Sequence, residues 1–158
     1  MARESRQELL AAIGDAFRIN QNKADVFDDV ASEILNINRT DMRAVDIVNR
    51  RGRVTAGELA KEAGLTTGGV TAVIDRMELA GLLKRIRDPD DRRRVWLETT
   101  PLVLEKTMPI WGPMQELWES WARDLTREQL EFLLKFLTEG NELMDDQIQR
   151  LRRLRDEG

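Results

Sequence analysis

Lys84, Arg85, Arg87, Arg92, Arg93 and Arg94 lie within eleven residues of a 158-residue chain whose formal net charge is −4. Three carboxylates, Asp88, Asp90 and Asp91, sit among them. An arginine held by a neighbouring carboxylate can be aimed instead of waving in solvent. A narrow A·T-rich minor groove has an enhanced negative potential that attracts such an arginine. The plainer alternative is a solvated, charge-balanced hairpin.

Just upstream, Val70, Val73, Ile74 and Met77 recur at the spacing of one helical face and mark its inner side. The opposite face holds Thr67, Gly68, Thr71, Ala72, Asp75 and Arg76, which are small or hydrogen-bonding and include no bulky apolar group. Such a surface can enter a major groove, where base edges present donors, acceptors and the thymine methyl. Gly68 and Gly69 each cost a helix about 1 kcal/mol relative to alanine. Close approach of a phosphate to the N–H groups of a helix N-terminus is one reason to keep them. The alternative is a short surface helix that packs against other helices.

Other chemistries are excluded by what is missing. There is no cysteine, so disulfides and thiolate chemistry are out. There is no histidine, so Ser-His-Asp catalysis, the usual zinc ligand sets and imidazole pH switches are out. The Gly-rich stretch at 64–69, GLTTGG, lacks the Lys-Ser/Thr of a P-loop. The carboxylates have no recognisable partner constellation. No enzymatic activity, metal or cofactor is therefore expected. At 41% hydrophobic and 34% charged residues the chain reads as folded and soluble. It has no apolar run of about 18 residues and its N-terminus lacks a secretory core, so no membrane partner and a cytoplasmic location are expected.

The elements that must position these residues are mostly helical. Ser5 to Glu8 reads as a capping box before Leu9, Leu10, Ile13 and Phe17. Asn20-Gln21-Asn22 breaks the pattern, and a second helix carries Val26, Phe27, Val30, Ala31, Ile34 and Leu35. Thr40 is placed to cap a third helix with Met42, Val45 and Val48 inside, ended by Gly52. Val54 begins a short extended piece. Thr55 to Glu58 is a second capping box, and Gly64 suits the left-handed terminator of that helix. Thr66 or Thr67 caps the next helix, which runs to about Ala80. A short helix, a glycine-containing turn and a second helix form the helix-turn-helix plan. Residues 82–87 and 94–98 have strand character, and the turn Asp88 to Asp91 makes them a hairpin, or wing. Pro101 suits a first helical turn. Pro109 and Gly112-Pro113 should kink or divide the helical segment that Pro101 opens. Leu125 to Leu130 combines a capping box with a hydrophobic staple. The fold class is mainly α with a small β-hairpin wing.

Residues 39–101 resemble the winged helix-turn-helix core of MarR-type bacterial regulators. The most specific piece is DPDDRRRV after the block LAKEAGLTTGGVTAVIDRMELAGLL. The resemblance implies a single domain over 1–158, with 39–101 binding double-stranded DNA and 1–38 and 102–158 dimerising. It implies a sequence-specific homodimeric transcriptional regulator, often a repressor of a palindromic operator. In many relatives a small, often aromatic or anionic effector binds between the two regions and releases the DNA. Thr66, Thr67, Gly68, Gly69, Thr71 and Arg76 match the family's recognition helix. Asp91 and Arg93 match the wing's Asp-x-Arg element, whose arginine enters the minor groove, and Arg92 lies between them. The chain departs from the family after the wing, where Thr99-Thr100-Pro101 replaces the usual Leu-Thr and a following glycine.

Leu130, Leu134, Leu137, Asn141, Met144, Ile148 and Leu151 alternate steps of four and three, a coiled-coil seam with one polar member. It fits dimerisation, with Leu9, Ile13 and Phe17 as co-participants, or packing within the chain. Trp111, Met114, Trp118 and Trp121 form a further stripe, more commonly a core feature than a ligand-pocket lining. A winged-helix protein-interaction module without operator specificity is the competing function, favoured by the acidic total charge and opposed by the basic wing.

Overall fold

The computed structural model describes residues 5–91 and 93–157. Helix α1 spans Arg6–Leu35, and its N-terminus is the expected capping box, Ser5 and Glu8 bonding each other's backbone N–H. It is one unbroken helix; Asn20-Gln21-Asn22 does not divide it. An asparagine inside a helix costs only a fraction of a kcal/mol, about 0.7 at most. Asn20 and Ala24 also hold the helical places between Phe17 and Phe27, so the stripe continues through the polar interval.

The chain turns at Asn36, which is left-handed (φ 53), and α2 runs Arg39–Arg51. Its cap is Asn38 and not Thr40: the Asn38 side chain accepts from the Asp41 N–H at 2.9 Å. Asparagine is at least as good a cap as threonine, and here it arrives first. Arg39 reaches back to Asp25, Asp28 and Asp29 of α1. Strand β1 is Arg53–Thr55 and α3 is Ala56–Ala63, capped by the Thr55/Glu58 box and ended by Gly64 at φ 70. Helix α4 is Thr67–Leu79, and Gly81 at φ 73 closes it.

Strands β2 (Leu83–Arg87) and β3 (Val95–Thr99) pair antiparallel, with Leu83 opposite Thr99 and Arg87 opposite Val95. β1 adds to the other edge of β3, giving the order β1-β3-β2. The chain's exit from the hairpin, where the sequence leaves the family pattern, is well fixed. The Thr100 hydroxyl donates to the Gly81 carbonyl and its N–H to the Leu82 carbonyl. Pro101 then opens α5, and Val103 is buried in the core.

That core collects one face of each surrounding element: Ala44, Val45, Ile47 and Val48 from α2, Leu59 from α3, Val70, Val73, Ile74 and Met77 from α4, and Leu83 and Leu97 from the hairpin. Met42, expected inside, is only partly buried, and Asp41 takes an inner place instead. Helix α5 runs Pro101–Ala122, so Pro109 and Pro113 do not divide it. Helix α6 is Arg127–Glu157, opened by Thr126 and Gln129 bonding each other's backbone N–H. Two compact units result, Met1–Ile110 and Trp111–Gly158. Among the described residues no helix is long and apolar enough to cross a membrane.

Candidate nucleic-acid interface

The N-terminal turn of α4 is built by Thr66, whose hydroxyl oxygen accepts from the Gly69 N–H at 3.1 Å. Of the two threonines the sequence left open, Thr66 is the cap. Gly69 has a local reason: a Cβ there would lie 3.1 Å from the Thr66 hydroxyl oxygen. Gly68 has none, because a Cβ there would meet nothing within 4 Å. Its freedom from internal contacts leaves the backbone of that turn open to an outside group. Thr71 donates its hydroxyl to the Thr67 carbonyl, keeping its oxygen lone pairs and its methyl outward. Thr67, Gly68, Thr71 and Ala72 are all exposed, as the helical spacing requires.

The other half of the exposed face is not a reading surface of free side chains. Asp75 and Glu78 both bind Arg85 of β2. Arg76, expected to project from the recognition helix, turns instead onto Asp41 of α2 with a two-pronged ion pair. The small, neutral part of the face is therefore Thr66 to Ala72, shorter than the sequence stripe.

The wing tip is organised around Asp88. Its carboxylate accepts from the Asp90 and Asp91 N–H groups and, at 2.7 Å, from the Trp96 indole N–H. Those bonds, the indole's first, hold the Asp88 carboxyl below its ordinary pKa, with help from Arg94. The Arg94 guanidinium lies 3.9 Å and that of Arg53 5.0 Å from the centre of the Trp96 ring. Trp96 and Arg53 escaped the sequence reading, and Asp88 was read only as a turn and tip carboxylate, not as the partner of Trp96. The available signal was a tryptophan on the strand of a highly charged hairpin, where an indole can both stack on arginine and donate.

Asp91 does not grip the Arg93 guanidinium, as an aimed arginine would need. It accepts from the Arg93 backbone N–H at 3.0 Å, the local turn geometry of an aspartate two residues ahead. What is oriented is the main chain from which Arg93 projects. Arg94 is engaged by Trp96, Arg85 by Asp75 and Glu78, and Lys84 by Glu98. Arg87 and Arg93 are left exposed with no side-chain partner among the described residues. Arg92 lies outside the described residues.

The expected dimerisation residues are all exposed. Leu9, Ile13 and Phe17 are about half exposed on α1. On α6, Leu130, Leu134, Leu137, Asn141, Met144, Ile148 and Leu151 are exposed, and no residue of the helix is buried. Within its own unit, none of the seam is buried. Trp118 and Trp121 are likewise more than half exposed, in edge-to-face contact with each other, so this part of the stripe is not core within its own unit.

The model of the MarR family matches residues 37–95. An uncharacterised HTH-type transcriptional regulator of Bacillus subtilis, YcgE, is 35% identical over 150 residues, covering 95% of this chain and 97% of that protein. The structure of NadR in complex with 4-hydroxyphenylacetate superimposes with a TM-score of 0.61 at 23% identity, over 88% of this chain and 96% of that one. The S. aureus MepR F27L mutant bound to an oligodeoxyribonucleotide does so with a TM-score of 0.56 at 19% identity, over 84% and 97%. At these identities the two structural likenesses are likenesses of fold.

Proposed function

The chain belongs to the MarR family of winged helix-turn-helix, DNA-binding transcriptional regulators, and on that premise we propose that it acts as a homodimeric cytoplasmic repressor of a pseudo-palindromic operator, released by a small organic effector. In this reading residues 39–101 bind DNA, and 1–38 with 102–158 dimerise. Thr66, Thr67, Gly68, Gly69 and Thr71 enter a major groove. Arg93, carried by the turn that Asp91 organises and flanked by Arg92, enters the adjoining minor groove.

The observation that carries the DNA site is the pairing pattern. Lys84 and Arg85 are ion-paired and Arg94 is stacked on Trp96, whereas Arg93 and Arg87 have no side-chain partner among the described residues, and the first turn of α4 is neutral and uncluttered. The dimer is supported by α6, which has 31 residues and buries none of them. α1 likewise buries only Ala31 among its 30. Long helices draw their stability mainly from packing an apolar face, so two such helices require a partner surface. The effector is part of this reading as the family resemblance implies it; NadR, a protein of the same fold, holds 4-hydroxyphenylacetate in its structure.

Competition between genomic fragments and random duplex, at about 50 and 200 mM salt, tests the proposal. Counterion release predicts a steep loss of affinity with salt for both. Operator specificity predicts a genomic fraction that survives excess random duplex. Equal retention of all fragments would overturn it and leave the fold as a protein-interaction module.

A further inference from the structure

We propose that Asp41 and Arg76 form a positioning pair that fixes the rotation of α4 against α2, and that Arg76 acts through this pair and does not touch DNA. The inference rests on the reading of α4 as the helix that enters the major groove. Asp41 is 2% exposed and is the one buried charged residue of the core region among the described residues. Both of its oxygens are bonded. Oδ1 accepts from Arg76 Nη2 at 2.6 Å, and Oδ2 accepts from Arg76 Nε at 2.9 Å and from Asn38 Nδ2 at 2.8 Å.

The geometry points to orientation as the use of this pair. A buried carboxylate is tolerated only when paired and hydrogen-bonded, and a hydrophobic substitute of similar size often stabilises as well or better. What a two-pronged pair adds is direction, since its parallel bonds define a plane and a register. The other contacts of α4 with the core, through Val70, Val73, Ile74 and Met77, are apolar and non-directional. A small roll of the helix would cost them little and would swing Thr67 and Thr71 off their targets. Asn38 ties the same carboxylate to the first turn of α2, so the reference point is itself fixed. On the other flank, Asp75 and Glu78 hold α4 to Arg85 of the wing. The Arg76 side chain is nevertheless 48% exposed, so direct contact with a phosphate is the rival reading.

Asp41→Asn, Arg76→Gln and the double variant separate the two, measured by fluorescence anisotropy on a selected duplex and a random one across a salt series. Asp41→Asn frees an intact Arg76. Positioning predicts that it weakens binding to the selected duplex about tenfold or more, the scale of one mismatched base pair. Random-duplex affinity and the salt slope stay as in wild type. Arg76→Gln shows the same loss and slope, and the double variant loses little more than either single one. Direct contact predicts instead that Asp41→Asn is neutral or tighter, while Arg76→Gln lowers the salt slope by about one; that result overturns the proposal. The wild-type Arg76 Nε–H resonance keeps the test decisive should a variant fail to fold. It remains protected and unshifted on adding DNA if Arg76 only positions the helix, and a large shift or a new bonding partner refutes this. A wild-type chain that binds selected and random duplex alike removes the DNA-reading premise itself, and the proposal with it.

Discussion

Leu134→Glu on α6 is the sharpest test of the dimer. Leucine and glutamate have similar helix propensities, so the substitution leaves the helix itself intact. Leu134 is 68% exposed in the single chain. Burying a whole leucine stabilises by about 1.5–3 kcal/mol, so covering the exposed two-thirds contributes about 1–2 kcal/mol. A two-fold dimer uses the position twice, which makes about 2–4 kcal/mol. Losing that weakens the dimer Kd about 30- to 1,000-fold. Burial of two new carboxylates adds to the loss. Sedimentation equilibrium over a micromolar concentration series should show monomers for the variant where wild type is dimeric. An unchanged Kd would refute the seam, and with it the assignment of Leu130, Leu137, Asn141, Met144, Ile148 and Leu151 to the interface.

Arg93→Ala should weaken operator binding while leaving the sedimentation behaviour unchanged; equal affinity in a gel-shift titration would remove the wing arginine from the mechanism. Leu59→Ala, at a fully buried core position, should destabilise the chain by about 2–5 kcal/mol in urea unfolding, and a loss below about 1 kcal/mol would mean the core is packed otherwise. The Asp88 carboxyl is held below its ordinary pKa chiefly by the Trp96 indole. Its bonds therefore stabilise the wing above the unfolded carboxylate range, near pH 4, and are lost as pH falls through the lower folded value. The Trp96 indole N–H resonance should move only in that acid window, and Asp88→Asn should abolish the movement; a transition near neutrality, or one that persists in the variant, would contradict the assignment.

Much of this was legible because it is local. The capping boxes at Ser5, Thr55 and Thr126 and the terminating Gly64 each depend on residues a few places apart. The inner face of α4 followed from the helical repeat alone. Asn20-Gln21-Asn22 was misleading because a helix tolerates a short polar interval when its stripe resumes in phase. The partner of Arg76 was hidden because Asp41 is 35 residues away. A clue was present: Asp41, Val45 and Val48 share one helical face, and an acid on an apolar stripe calls for a cation. Asp91 looked like a clamp on the Arg93 side chain, but a two-residue separation favours the backbone N–H. The tryptophans of α5 looked like core because an apolar stripe does not say whether its partner lies in the same chain.

The central claim is that α4 and the wing read duplex DNA as a symmetric pair. Hydroxyl-radical footprinting of a selected genomic fragment tests it most directly. Two recognition helices related by two-fold symmetry predict two protected half-sites about one helical turn, roughly 34–36 Å, or a multiple of it, apart. The outer protections, at the flanking minor grooves, should vanish with Arg93→Ala. A single continuous or sequence-independent protection, unaltered by that substitution, would contradict the account.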